Sequence, residues 1–191
     1  MRHLAWIAAI AAFSLLSSAA SAQEPAARYG MKSGIVETVT TIMKLEVKTV
    51  TYFDDYGALE ASDVSMPSPL GDVEVTTISM DGKSYVVEKK SKKVQEVPVQ
   101  ESTNYLDLTD SVREKFQIKE VGSEEVEGRQ CTVYSEVIDY QGRKSNAKVW
   151  VWKGIPLRTE VSALGMKITS MVVGITEDAA IPPEVFEVPS F

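Results

Sequence analysis

The stretch Val149-Trp-Val-Trp-Lys-Gly-Ile-Pro-Leu-Arg-Thr-Glu-Val161 decides the fold class of this 191-residue chain. Two valines alternate with two tryptophans, which is the period of two that a β-strand requires. Lys153-Gly154 then forms a tight turn, and a second strand follows in which the odd-numbered residues face an interior. The stretch therefore predicts two antiparallel strands joined by a short turn.

The same period of two recurs on both sides of this stretch. It predicts strands at 43–53, 58–66, 73–80, 83–88, 94–99, 129–137, 147–152, 155–162 and 166–175. A slip of the apolar phase near Ser62-Asp63 predicts a β-bulge. Nine or ten strands joined by short turns indicate a mainly β fold, an antiparallel meander that curls around one core.

One helix interrupts the strands. Leu108, Val112 and Phe116 stand at i, i+4 and i+8, which predicts a single apolar stripe on a helix over 109–117. A helix this short is marginal alone, so its stripe must rest on the sheet. We interpret it as a cover that is either a displaceable lid over a ligand or permanent core. The tail from Ile181 predicts one more helical turn followed by extended chain.

The first residues predict export. A positive start, an apolar run from Leu4 to Leu16 and the small residues Ala20-Ser-Ala22 are typical of a cleavable signal peptide over 1–22. The run is too short to anchor the chain in a bilayer, which takes about 20 residues. No cysteine follows for lipidation. We therefore expect one domain over 23–191 in a bacterial periplasm.

Composition excludes most catalytic chemistry. The chain has a net charge of −7, a single cysteine and a single histidine, and that histidine lies in the signal. The mature protein therefore lacks a Ser-His-Asp triad, a Cys-His pair and a histidine zinc site, and we expect no metal, no cofactor and no catalytic residue. The acidic balance also disfavours nucleic acid as a partner.

The remaining reactive side chains have structural interpretations. Asp54-Asp55 is expected to be a turn and Glu124-Glu125 a solvated bend, because neighbouring residues on a strand point to opposite faces and cannot converge. Cys131 alternates with polar neighbours on a strand, which predicts a buried thiol. The lysines of 89–93 are expected to solvate the tip of a hairpin.

Several segments resemble a known family. They are Lys32-Ser-Gly-Ile-Val36, Tyr52-Phe-Asp-Asp-Tyr-Gly57, Gly128-Arg-Gln-Cys-Thr-Val-Tyr134, Val149–Leu157 and Pro183-Glu-Val-Phe-Glu-Val-Pro189. Their order resembles an uncharacterised family of secreted bacterial proteins, similar in fold to the lipoprotein carrier LolA and its receptor LolB. The resemblance implies a curved antiparallel sheet, a half-open barrel with a helical lid, whose apolar concavity receives acyl chains. No functional arginine of the carriers has a match here.

Three functions remain open. The first is a non-catalytic periplasmic carrier whose cavity takes the acyl chains of a lipid or lipoprotein. The second is a protein-interaction or sensing module with a filled core, which binds an envelope protein. The third is a hydrolase that uses carboxylates alone, although the inward positions are apolar. For the first we assign Leu108, Val112, Phe116, Trp150, Trp152 and Leu157 to the cavity or its lid. The tryptophans could equally be packed core.

Overall fold

A computed structural model describes residues 27–69, 71–99, 103–140, 143–163 and 165–191, with the backbone alone for Asp139 and Tyr140. The predicted signal peptide over 1–22 lies outside these residues. Within these residues, the regular structure consists of eleven strands, one α-helix and two 3-10 turns. The helix, α1, spans Asp110–Phe116 and lies between the sixth and seventh strands.

All eleven strands belong to one antiparallel sheet. They are β1 Gly34–Ile42, β2 Leu45–Asp54, β3 Leu59–Met66, β4 Val73–Met80, β5 Lys83–Glu88, β6 Lys93–Val97, β7 Lys119–Val126, β8 Arg129–Tyr140, β9 Arg143–Trp152, β10 Ile155–Ala163 and β11 Met166–Glu177. The order across the sheet is β6-β5-β4-β3-β2-β1-β11-β10-β9-β8-β7. Strands β6 and β7 end this order, so the curved sheet stays open.

The sequence missed two of these strands, β1 and β7. Strand β1 is rich in threonine on both sides and lacks a clean alternation of apolar and polar residues. Strand β7 is an edge strand whose residues are exposed except the last, and it carries charge and a glycine in place of an apolar face. The predicted bend at Glu124-Glu125 is wrong, because both residues lie within β7.

Residue pairing defines one face of the sheet, here called the lid face. Val149 of β9 pairs with Thr159, and Thr159 pairs with Ser170 of β11. Ser170 pairs with Thr40 of β1, and their hydroxyls lie 2.8 Å apart. Paired residues of an antiparallel sheet point the same way, so the lid face continues from the β9 valine to the hydroxyls of β1 and β11.

The lid face is apolar at β9 and rich in hydroxyl groups at β1, β2, β3 and β11. Ser62 of β3 is fully buried and shares a hydrogen bond of 2.8 Å with Thr51 of β2. The predicted β-bulge at Ser62-Asp63 is wrong, because β3 pairs with both neighbours without a shift of register. The change of phase reflects serine and threonine in place of apolar residues on the buried face.

The C-terminal tail covers the opposite face of the β3–β5 region. Phe186 is buried against Ala61, Ile78 and Val87, which point away from the lid face. The predicted helical turn is present as a single 3-10 turn over Pro183–Phe186, and extended chain follows it. The tail and the helix therefore stabilise different strands on different faces.

Candidate functional site

Helix α1 begins at a threonine cap and ends in a left-handed residue. The Thr109 hydroxyl accepts a hydrogen bond from the backbone N–H of Val112, which satisfies one free donor of the first turn. Gln117 has φ 52° and closes the last turn onto the carbonyls of Arg113 and Glu114. The predicted extent, 109–117, is confirmed as these caps and the seven residues between them.

The stripe of α1 rests on the lid face. Leu108, Val112 and Phe116 are half-buried, and no residue of the helix is fully buried. Beneath them lies the lid cluster, whose buried members are Ile118, Tyr134, Ala147, Val149, Val151, Val161, Ala163 and Ile168. A short helix that buries so little of itself depends on this cluster for its stability.

The chain that leads into α1, residues 103–108, is here called the strap. Tyr105 of the strap stacks on Tyr134 of β8, with ring centroids 5.3 Å apart. Its hydroxyl donates a hydrogen bond of 3.0 Å to Glu136 Oε2. Glu136 is 4% exposed, so a buried carboxylate lies beside the lid cluster. Burial raises the pKa of the Glu136 carboxyl, and the hydrogen bond from Tyr105 opposes part of that rise.

Sequence reasoning missed Glu136 and Tyr105. A signal for Glu136 existed, because Tyr134 and Glu136 are two residues apart in the predicted strand over 129–137, on the opposite side from Cys131 and Val133. A carboxylate at a position that faces an interior indicates either a buried partner or a functional group. Nothing in the sequence indicated that Tyr105 would be the partner.

The N-terminal segment covers the part of the lid face that lies away from α1. The backbone N–H groups of Arg28 and Tyr29 donate to the carbonyl of Tyr56 in the β2–β3 turn, and that of Gly30 donates to the carbonyl of Lys153. Gly154 has φ 79°, and a Cβ there would collide with the Arg28 carbonyl. Glycine at this turn thus lets the N-terminal segment pass from β2 to β9.

A second buried carboxylate fixes this segment. Glu60 is 3% exposed, accepts a hydrogen bond of 2.7 Å from the Tyr29 hydroxyl and pairs with Arg28 at 3.2 Å. Burial acts to lower the pKa of Arg28, but the attraction of Glu60 acts in the opposite direction, and this pKa is raised. Burial also raises the pKa of Tyr29, so its hydroxyl stays a donor. This carboxylate has both a neutral donor and a cation.

Trp150, Trp152 and Leu157 lie apart from the lid cluster. They lie in the N-terminal cluster, whose buried members are Tyr29, Met31, Val36, Phe53, Val126, Cys131, Val133, Trp150, Ile155, Leu157 and Val172, with Trp152 packed against it. The alternation on β9 is confirmed, because Val149 and Val151 belong to the lid cluster. The structure therefore brings Leu108 of the strap together with Val112 and Phe116 of α1, and it brings the other three residues together in a different cluster.

The surroundings of Trp150 are polar on its solvent side. Its indole N–H donates to Glu124 Oε2 at 2.8 Å, and Glu124 also pairs with Lys148 at 3.0 Å. The Arg158 guanidinium lies 4.5 Å from the ring centroid. The hydrogen bonds from Trp150 and then Lys148 lower the pKa of Glu124. With these cations and Glu124 around it, Trp150 is 2% exposed. Its ring is therefore packed in the structure.

Leu157 also lines a small pocket. The pocket has a volume of about 130 Å³ and lies between the β7–β8 turn and β11, with Arg129, Val172 and Ile175 among its other lining residues. An engineered cavity of about 150 Å³ holds a molecule the size of benzene, so this space is too small for a long acyl chain. An acyl chain would need a different place on the lid face.

The other reactive groups have the structural roles that the sequence predicted. Asp54 accepts a hydrogen bond of 2.7 Å from the N–H of Asp55 and begins a 3-10 turn. Cys131 is buried, and burial raises its pKa. The turn that contains Lys89 and Lys90 is exposed. Within the described ranges, no three His, Cys, Asp or Glu side chains converge on a metal position. In the same ranges, no helix is long and apolar enough to cross a membrane.

Three solved structures are similar to the chain. An uncharacterized conserved protein from Thermus thermophilus has a TM-score of 0.58 at 11% identity, over 83% of this chain and 86% of that chain. LprF from Mycobacterium bovis has a TM-score of 0.43 at 12% identity, over 82% and 90%. A putative outer membrane lipoprotein-sorting protein domain from Vibrio parahaemolyticus has 0.40 at 11%, over 81% and 89%.

These likenesses concern the fold. The architecture that the LolA/LolB resemblance implied, an unclosed antiparallel sheet with a helical cover on one face, is confirmed. No curated protein matches the chain. A family described as a domain of unknown function, DUF4412, matches residues 33–166. That match spans well over half of the sequence, as the predicted relation to an uncharacterised family requires, and the chain therefore belongs to the DUF4412 family.

Proposed function

We propose that this chain is a non-catalytic binding or carrier protein of the bacterial periplasm, and that it takes an acyl chain of a lipid or lipoprotein beneath helix α1. The observation that carries the proposal is the way α1 rests on the sheet. Its stripe is half-buried, whereas the residues below it, such as Val149, Val161 and Ile168, are almost completely buried.

This difference in burial favours a replaceable cover. Moving α1 exposes a continuous apolar surface on the lid face, and an acyl chain can restore the contacts that the helix gave up, because the hydrophobic effect is not directional. The helix itself has seven residues, fewer than a helix needs to be stable without contacts. The cost of releasing it is therefore limited to its contacts with the cluster and the strap.

Three further features support a non-catalytic role in the periplasm. The mature chain has no histidine, its one cysteine is buried in the N-terminal cluster, and the predicted signal peptide directs export without a lipidated cysteine. The motif resemblance to the LolA and LolB proteins points to acyl chains in particular. A filled-core module that binds an envelope protein is the competing function.

The test is direct. The mature protein is purified gently from a native periplasm, and any bound lipid is identified by mass spectrometry. In parallel, a fluorescent fatty acid is titrated into delipidated protein, with Phe116→Ala as the lid variant and Leu157→Ala as the control outside the lid cluster. We expect saturable binding that changes at least severalfold in Phe116→Ala and not in folded Leu157→Ala. No bound lipid and no probe binding would favour the interaction module.

A further inference from the structure

Glu136 is a buried carboxylate beside the lid cluster, and its charge is paired with no cation among the described residues. It lies on β8 opposite Ala147 and is 4% exposed. Its hydrogen bond comes from the neutral hydroxyl of Tyr105, and none of the ion pairs between described residues includes it. A buried carboxylate usually pairs with a cation or takes up a proton and becomes neutral.

The same protein shows the complete arrangement elsewhere. Glu60 has the same burial and the same kind of tyrosine donor, and it also has the guanidinium of Arg28. At Glu136 the tyrosine comes from the strap, so the group that covers the carboxylate moves with the lid. Displacing the strap would remove the hydrogen-bond donor that the described residues supply to Glu136.

We propose that Glu136 is the polar anchor of the ligand site and that it selects an amphiphile with a cationic amine head. The acyl or alkyl chain lies along the lid cluster in place of α1, and the ammonium group replaces the Tyr105 hydroxyl as the donor to Glu136. This inference rests on the proposed function, since it requires that a chain occupies the space beneath the lid.

The charges of the buried residues favour a cationic head group over an anionic one. The buried residues of the described chain include two carboxylates, Glu60 and Glu136, and no lysine or arginine. A carboxylate or phosphate head brought to Glu136 would meet a like charge in a poorly hydrated place, which costs free energy. An ammonium head forms a charge-assisted hydrogen bond there, the stronger class of hydrogen bond.

The experiment compares head groups on one chain. Three probes carry a dansylamino group at one end of an undecyl chain and a free amine, a hydroxyl or a carboxylic acid at the other end. Each is titrated into the delipidated full-length mature protein at neutral pH. A charge-assisted hydrogen bond is worth about 1.5–3 kcal/mol, so we expect the amine to bind at least about tenfold more tightly than the acid. Glu136→Gln should reduce this ratio at least about fivefold, because it keeps the shape and removes the charge.

Glu120→Gln is the matched control, because Glu120 pairs with Tyr134 on the same face and is exposed. Removing its charge should leave the ratio within about twofold, since water screens exposed charges. Circular dichroism and the thermal midpoint establish that both variants fold. Equal affinity for the amine and the acid, or the same ratio in Glu136→Gln, overturns the assignment while acyl binding stands. Failure of all three probes overturns the proposed function as well.

Discussion

Two regions of the lid face each contain a buried carboxylate, and they are completed differently. In the N-terminal region, Glu60 accepts from Tyr29, a member of the N-terminal cluster, and pairs with Arg28. In the lid region, Glu136 accepts from Tyr105 and has no ion pair among the described residues. The first arrangement fixes a segment of chain. In the second, the carboxylate has a neutral hydroxyl donor and no cation among the described residues.

The apolar groups around the two carboxylates differ in the same sense. The N-terminal cluster contains fully buried large side chains, including Phe53 and Leu157. The lid cluster also has fully buried members, but the residues that cover it, Leu108, Val112 and Phe116, are only half-buried. A region whose buried carboxylate is paired with a cation is expected to be rigid, whereas one that is covered by a half-buried helix is expected to open at lower free energy. The following variants test that contrast.

The largest effect is expected where the buried ion pair is broken. Arg28→Met leaves Glu60 buried without its cation, and removing one partner of a buried pair typically costs about 3–5 kcal/mol. Urea unfolding of the mature protein measures the loss. The control is Lys153→Met, which breaks an exposed pair with Glu177 at 2.8 Å and should cost less than about 1 kcal/mol. Equal losses in both variants would mean that the N-terminal region is not closed by its ion pair.

Leu157→Ala probes the packing of the same region. Leu157 is 2% exposed in the N-terminal cluster. Truncating a packed leucine removes transfer energy and leaves a cavity, so we expect a loss of about 2–5 kcal/mol in the free energy of unfolding. A loss below about 1 kcal/mol would contradict the view that this cluster is densely packed.

Phe116→Ala makes the matching change in the lid region. Packed aromatic truncations cost about 3–5 kcal/mol, but Phe116 is half-buried and has fewer contacts to lose, so we expect less than about 2 kcal/mol. Its affinity for a fluorescent fatty acid should change at least severalfold, whereas Leu157→Ala should retain the parent value wherever it folds. A stability loss as large as that of Leu157→Ala, with no probe binding by the parent, would favour the filled-core interaction module.

The sequence predicts the strands of the two regions, but not which face of the sheet the helix covers. Alternation predicted the strands around Val149–Val161 and put the valines and tryptophans of β9 on opposite sides, because the period of a strand is fixed by its geometry. It could not predict which of those sides receives α1. That choice depends on the strap and on the register of β8 with β9, which involve residues far apart in the chain.

The charged contacts were beyond the sequence for a related reason. Arg28 lies before the first predicted strand, and its partner Glu60 is on the third strand of the sheet. Tyr105 and Glu136 are 31 positions apart, as are Tyr29 and Glu60. Local patterns carry no information about such pairs, so the two most informative side chains of the lid region emerged only from the fold. Edge strand β7 was missed because it buries almost nothing.

The smallest effect, and the one with the clearest sign, belongs to Glu136→Gln. Burial raises the pKa of Glu136 in the folded protein. An acid with a raised folded pKa contributes its full stability below the unfolded value, about 4.3 for glutamate, and that contribution is lost as the pH rises through the folded pKa. Glutamine keeps the acceptor for Tyr105 and does not titrate. We therefore expect Glu136→Gln to be more stable than the parent at pH 7, by about 1 kcal/mol.

The advantage of glutamine should shrink as the pH falls and disappear below about pH 4, where the parent carboxyl is protonated. Glu160→Gln gives the opposite sign as a control, because hydrogen bonds from Arg158 and then Lys167 outweigh desolvation and lower the pKa of Glu160. That variant should be less stable than the parent at neutral pH, and its deficit should fade as acid protonates the parent through the lowered pKa. Urea unfolding at a series of pH values measures both. If Glu136→Gln instead follows the course of Glu160→Gln, then Glu136 has a cation partner in the folded protein, and the difference between the two carboxylate regions is lost.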